Sequence, residues 1–392
     1  MKAGWQLKKL GTVCGFQNGF AFKSKLFRES GYPILRISNI QDEAIETRRV
    51  VYFQLEDYKE NLDKYRVVNG DLLIAMSGGT TGKIGFNTTD QWYYLNQRVG
   101  KFEPKDFLSK QYLFYFLSTR VEENLRISAG SAQPNLSTEQ IKGFEIPVPP
   151  LPEQQRIVTI LDKAFASIAT AKVNAERNLQ NGRALFESHL QSVFTQRGEA
   201  WVERQLGEIA EVQSGGTPSV SQKDYWGGGI SWYSSGELNQ TYTTHPERKI
   251  TETGLNNSNA KLFPKGSLLV GMYDTAALKM SILDRDGAFN QAIAGLKPND
   301  KIDVEFVLHA INADKPRLLL ERRGVRQKNL SLRKIKEIKI PLPELSKQRA
   351  VVSRIRSVMA ETQRLESIYQ QKLAALAALK KSLLDQAFTG QL

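Results

Sequence analysis

The chain has 392 residues, with 54 Lys plus Arg against 41 Asp plus Glu, a net charge of +13 and a pI near 9.5. At 41% hydrophobic it can fill ordinary cores in two or more domains, and no run approaches the ~18 consecutive apolar residues of a membrane span. The basic balance favours a polyanionic partner through counterion release. Cys14 is the only cysteine, which excludes an intrachain disulfide and fits a reducing, cytoplasmic setting.

The opening MKAGWQLKKLG has no apolar leader core and reads as mature protein. Residues 1–151 carry the turn signals of a compact α+β domain. Tyr32–Ile37 and Asp71–Met76 are short apolar runs bounded by Gly, Asn and Ser and read as strands. Tyr112–Glu123 reads as a helix. IPVPPLPEQQ then stops local structure, and Pro152 suits a first helical turn.

From 152 to 197 the chain reads as one long helix. Ile157, Leu161, Ala164, Ile168, Ala171, Ala175, Gly182, Phe186, His189 and Val193 recur at spacings of three and four. The second half repeats the first. Trp5, Leu10, Gly11, Gln17 and Gly19 return as Trp201, Leu206, Gly207, Gln213 and Gly215, each 196 positions on. After a small loss between Lys279 and Asn290 the offset is 194: Asn96–Gln97, Asn135–Leu136–Ser137, Ile146–Pro147, Gln154 and Phe194–Thr195 recur as Asn290–Gln291, Asn329–Leu330–Ser331, Ile340–Pro341, Gln348 and Phe388–Thr389. The expected architecture is therefore two duplicated α+β domains, 1–151 and 198–343, each followed by a long helix, 152–197 and 344–392.

In the second helix Val351, Ile355, Val358, Thr362, Leu365, Tyr369, Lys372, Leu376, Leu379 and Leu383 keep a seven-residue rhythm. Such a rhythm argues for an antiparallel coiled coil between the two helices, a rod of about 65 Å at 1.5 Å rise per residue. The seam residues expected to pair are Ile157, Leu161, Ile168 and Phe186 with Val351, Ile355, Leu365, Leu376 and Leu383. The alternative is that each helix packs only on its own domain.

Few residues suggest chemistry. SGGTTGKIG (Ser77–Gly85) lacks the first Gly and the final Ser or Thr of a phosphate loop, and its repeat YDTAALKMS keeps only the lysine. His189, His245 and His309 are too scattered for a zinc cluster. The only Pro-Pro pair, Pro149–Pro150, lacks the flanking Asn or Asp and aromatic of an adenine methyltransferase motif. Glu103-Pro-Lys105 and Glu337-Ile-Lys339 match the short half of a loosely defined nuclease core, a match expected by chance. No catalytic or metal residue is therefore expected.

Polar and basic loops suit a groove reader instead. In the first domain the candidate DNA contacts are Gln17, Asn18, Ser77, Thr80, Thr81, Lys83, Ser131 and Gln133. In the second they are Ser214, Thr217, Tyr273, Thr275 and Lys279, with Arg322, Arg323, Arg326 and Lys328 from ERRGVRQKNLS. Trp226, Trp232 and Tyr233 are read as core. The two domains agree at framework positions and differ in their loops, as two readers of different half-sites would.

NLSTEQIKGFEIPVPPLPEQQRIVTIL (Asn135–Leu161), the end LLDQAFTGQL (Leu383–Leu392) and the starts WQLKKLG and WVERQLG resemble the specificity subunits of type I restriction–modification systems, in the expected order over essentially the whole chain. The resemblance implies a non-catalytic subunit in which each recognition domain reads half of a split, asymmetric double-stranded DNA target. By it, the helices set the spacing and hold two methyltransferase subunits that methylate adenine. It places S-adenosylmethionine on the methyltransferase, ATP and Mg on the restriction subunits, and no cofactor or membrane on this chain. One departure is YDTAALKMS, where a glycine-rich loop is usual and Asp274 adds negative charge. A related phage-defence methylation system, a stand-alone nuclease and a protein-binding coiled-coil scaffold are the competing readings.

Overall fold

A computed structural model describes residues 4–41, 43–128, 135–196, 200–273, 276–321 and 330–392. The chain forms two compact units: residues 1–175 with 371–392, and residues 176–370. This division cuts across the four segments expected from sequence, because each long helix contributes to both units.

In the first unit, Gln6–Lys9 pairs antiparallel with Glu145–Val148. A five-stranded sheet runs in the order Cys14–Asn18, Val99–Pro104, Leu72–Ala75, Ile84–Phe86, Glu43–Ala44. A four-stranded sheet runs Val51–Phe53, Tyr32–Leu35, Tyr93–Leu95, Arg66–Val67. The expected strands at 32–37 and 71–76 are thus Tyr32–Leu35 and Leu72–Ala75, and the expected helix is longer, Lys110–Ser128.

The second unit repeats this plan. Val202–Gln205 pairs with Lys339–Leu342 in the matching register. A four-stranded sheet runs Val212–Ser214, Ile293–Leu296, Leu268–Gly271, Met280–Ile282. A three-stranded sheet centres on Trp226–Tyr233, and Val304–Glu321 is the counterpart helix. The repeated Asn-Leu-Ser has a local cause. Leu136 and Leu330 are buried, and the hydroxyls of Ser137 and Ser331 accept from the backbone N–H of Gln140 and Lys334, capping a short helix in each unit.

The long helices are Leu151–Thr195 and Leu345–Thr389. In each unit they run antiparallel. Arg156 donates to the carbonyl of Leu392, and Lys380 lies over the ring of Phe165, in the first. Asn178 donates to the Tyr369 hydroxyl, and Arg183 pairs with Glu366, in the second. The first unit's core holds Ile157 and Leu161 together with Leu384 and Ala387, and Phe388 packs on Tyr112 and Phe116. The second unit's core holds Leu190 and Phe194 with Val352 and Ile355, and Phe194 packs on Phe306. The antiparallel pairing is therefore realised, and the alternative in which each helix packs only on its own domain is not: each helix starts on its own domain and ends in the core of the other repeat's.

All the expected seam residues of the first helix are at least partly covered, as are Val351, Ile355, Leu376 and Leu383 of the second. Leu365 is a correction. It is 38% exposed, and between Ala360 and Leu383 the covered positions of the second helix are Thr362, Glu366, Tyr369, Leu373, Leu376, Lys380 and Leu383. Glu366 and Lys380 bury their stems in the seam and carry their charges out to Arg183 and Glu43.

A buried glutamine seats each domain on its helix. The Gln154 carbonyl accepts from Ser109 N–H at 2.8 Å, and its amide donates to the carbonyls of Phe107 and Pro149 at 2.8 and 2.9 Å. Gln348 makes the same three bonds with Asp303, Lys301 and Pro343. Both side chains are essentially sealed from solvent, at 0% and 1% exposure. Removing either amide strands three backbone groups at the junction, and a buried polar group left without a partner costs about 1–3 kcal/mol.

One turn further along, the repeats diverge. Positions 111, 115 and 162 hold Gln, Tyr and Asp, and Tyr115 donates to Asp162. The counterparts are Glu305, His309 and Arg356. Arg356 forks onto Glu305, Tyr242 donates to it at 2.9 Å, and His309 lies 3.6 Å away. Burial alone would push the Glu305 carboxyl up, but the hydrogen bonds from Arg356 and Tyr242, with the His309 imidazole close by, overcome it and hold the pKa at about 2.

Two predictions follow from these junctions. Gln154→Ala should lower the unfolding free energy of the first unit by about 3 kcal/mol, and Gln348→Ala that of the second, read as loss of amide-exchange protection within that unit. Unchanged protection would refute the seating role. Glu305 has a depressed folded pKa, so its stabilising contribution is complete above about pH 4.5 and is lost as pH falls toward about 2. Acid titration monitored on the second unit should show this loss in the native chain. In Glu305→Gln the same window should be flat and the unit less stable at neutral pH.

Candidate nucleic-acid interface

The candidate contacts lie where two strand pairs end. In the first unit the strand Cys14–Asn18 runs out into Gly19, whose N–H donates to Val99. A Cβ at Gly19 would sit 2.0 Å from the Asn96 carbonyl oxygen, so only glycine lets the two backbones meet. Gly215 is held the same way, with its N–H to Ile293 and the Phe289 oxygen 2.1 Å from a Cβ position. Met76 N–H to Arg98, and Leu136 N–H to Met76, are matched by Met272 to Ala292 and Leu330 to Met272. The same backbone bonds thus carry different side chains in the two units.

This frame gathers one group of polar side chains in the first unit. Asn18 exchanges hydrogen bonds with the Thr138 hydroxyl, Gln17 donates to the Asn18 carbonyl, and Ser77 bridges to Asn135. Arg98, exposed and at φ 67°, reaches Asn135 at 3.4 Å. In the second unit Ser214 and Thr217 line a polar pocket of about 520 Å³ with Gly215, Gly216, Asn259, Lys261 and Gln291. The Thr217 hydroxyl donates to Gln291.

The second group surrounds the loop lysines. Lys83 donates to Gln41 at 3.0 Å, and Lys279 to Asn239 at 3.0 Å. Thr80 donates to the Ile37 carbonyl. Thr81 is buried and donates to the Gly78 carbonyl, so it shapes the loop rather than presenting its hydroxyl outward. Tyr273 packs, half-buried, against the second unit's core. Ser131, Gln133, Asp274, Thr275, Arg322, Arg323, Arg326 and Lys328 lie outside the described residues.

Arg98, Thr138, Asn259, Lys261 and Gln291 stand beside the candidate contacts and were not among those expected from the sequence. Gln97 and Gln291 do carry a signal in the sequence, as a repeated pair. Of the aromatic stretch, Trp232 and Tyr233 are buried, while Trp226 is half-buried with the Arg248 guanidinium 3.5 Å over its ring. His189 is half-buried on the first long helix, and its Nε2 has no hydrogen-bond partner. Burial pushes the Cys14 thiol up to about 12, which keeps it protonated and unreactive. Among the described residues no three His, Cys, Asp or Glu side chains gather as a metal site, and no helix is long and apolar enough to cross a membrane.

A model of the type I restriction modification DNA specificity domain matches the chain twice, at residues 2–178 and 198–374. The putative MjaX specificity subunit of Methanocaldococcus jannaschii is 25% identical, over 99% of this chain and 93% of its own length. The EcoBI specificity subunit of Escherichia coli is also 25% identical, over 99% and 86%. A solved chain from work on complex assembly and conformational transition of the type I R-M system superposes with a TM-score of 0.84 at 19% identity, covering 100% of this chain and 99% of that one. The HsdS subunit from Thermoanaerobacter tengcongensis gives 0.66 at 18% identity, covering 100% and 98%.

Proposed function

Because the chain belongs to the type I restriction modification DNA specificity family, we propose that it selects the DNA target for a methyltransferase and restriction complex and performs no chemistry itself. Each globular domain reads one half of a bipartite, asymmetric duplex sequence. One observation carries this reading: matched backbone bonds hold unlike side chains at corresponding loop positions, such as Asn18 against Ser214 and Arg98 against Ala292. Phosphate contacts set register on the duplex, while the loop side chains discriminate bases. The net charge of +13 supports a polyanionic partner.

The long helices are the spacer and the dock for two methyltransferase subunits. Exposed apolar residues on their outer faces support this part. In the second unit Leu185 is 71% exposed, and Leu365 and Ile368 stand one turn apart on the second helix. In the first unit Val173 and Leu379 are exposed. Uncovered apolar side chains of this kind suit a protein partner. S-adenosylmethionine would sit on the methyltransferase, and ATP and Mg on the restriction subunits.

The purified chain with duplex DNA and S-adenosylmethionine should transfer no methyl group, while addition of the methyltransferase should yield methyladenine at a split motif. Methyl transfer or strand cleavage by the chain alone would overturn the reading. Seven residues inserted at matched places in both long helices should lengthen the gap between the half-sites and leave the half-sites unchanged. An unchanged gap with methylation intact would refute the spacer role.

A further inference from the structure

Lys279, one of the candidate contacts, opens onto a pocket of the second unit. It measures about 310 Å³ and is walled by the turn at 238–241, the strand start at 278–280 and the helix Val304–Glu321. Its floor is Leu278, Met280 and Leu308, and its polar lining is Asn239, Gln240, Thr241, Asn312, Lys279 and Lys315. Among the described residues no carboxylate lines it. Of the acids on the helix, Glu305 is engaged by Arg356 and Tyr242, and Asp314 by Arg317 at 2.8 Å. Lys279 is held in place by Asn239, whose own amide donates to the Gly236 carbonyl.

Two ammonium groups in one pocket, with no carboxylate among its described lining residues, repel each other and lose hydration, a cost that an arriving anion removes. Burial first, and the Lys279 charge second, pull the Lys315 ammonium below the ordinary lysine value. The surrounding side-chain amides and the Thr241 hydroxyl add neutral donors suited to a compact tetrahedral oxyanion. The first repeat keeps the lysine–amide pair as Lys83 and Gln41, while the position matching Lys315 is Val121.

We propose that Lys279 and Lys315 form a phosphate-binding pocket that takes one backbone phosphate of the DNA half-site read by the second domain. The assignment rests on the DNA-recognition reading and names a register contact within it. A phosphate contact positions the duplex without reading bases, so its loss weakens target and non-target duplexes alike.

The test is equilibrium binding of the full chain to its target duplex and to a scrambled duplex across a salt series. Lys315→Gln should weaken both and lower the slope of log affinity against log salt by about 0.9, the value for one phosphate contact, while Lys315→Arg should keep the slope. Thermal unfolding with inorganic phosphate forms a second arm. Phosphate should stabilise the second unit of the native chain and not that of Lys315→Gln. An unchanged salt slope in a folded Lys315→Gln overturns the assignment. If phosphate nevertheless stabilises the native chain, the pocket holds free phosphate and the duplex assignment falls. A native chain that binds no duplex at any salt instead overturns the DNA-recognition reading itself.

Discussion

Three backbone groups converge on the side-chain amide of Gln154, and three matched groups converge on Gln348. Each amide sits in the first turn of a long helix and ties together the loop before the domain's own helix and the strand end that precedes the long one. Both are buried, so water cannot substitute for a lost bond. The geometry of each domain on its helix depends on this contact. The loops beyond are free to vary because the seating does not involve them.

The polar groups one turn further on separate the two junctions. The first has Gln111, Tyr115 and Asp162, and the second Glu305, His309 and Arg356. Seating the second domain on the start of the first long helix would set the buried Glu305 against Asp162, a second acid, and would leave Arg356 without its carboxylate. A duplicated chain whose halves share a frame has an obvious wrong pairing, and this charge pattern penalises it. The ends of the helices return the same way: Phe194 closes the second core and Phe388 the first.

Much of this was legible in the sequence because duplication marks the framework. Asn-Leu-Ser, Ile-Pro, the paired glutamines and Phe-Thr recur at fixed offsets and prove to be a helix cap, a strand edge, a seat and a core plug. The second seam was misread at Leu365 because polarity was the guide: Glu366 and Lys380 occupy seam positions through their aliphatic stems, and no count of apolar residues selects them. Lys315 and Arg98 were invisible for a different reason. Their roles arise from side chains that meet only in the folded unit, Lys315 with Lys279 and Arg98 with Asn135, and nothing in their local sequence marks the meeting. The glycines were legible as a repeated pattern, but their cause, a neighbouring carbonyl at 2.0–2.1 Å, needed coordinates.

A common frame with private loops is the physical content of the proposed function. The frame fixes where each loop stands, and the loop chemistry decides which bases it accepts. The most direct measurement is methylome sequencing of a host carrying this chain with its methyltransferase, before and after the loop residues around Ser214, Thr217, Asn259 and Gln291 are exchanged for those of a relative, with Gln348 and both long helices kept. The account predicts a split motif in which one half changes while the other half and the gap stay constant. Change in both halves, or a continuous motif, would contradict it.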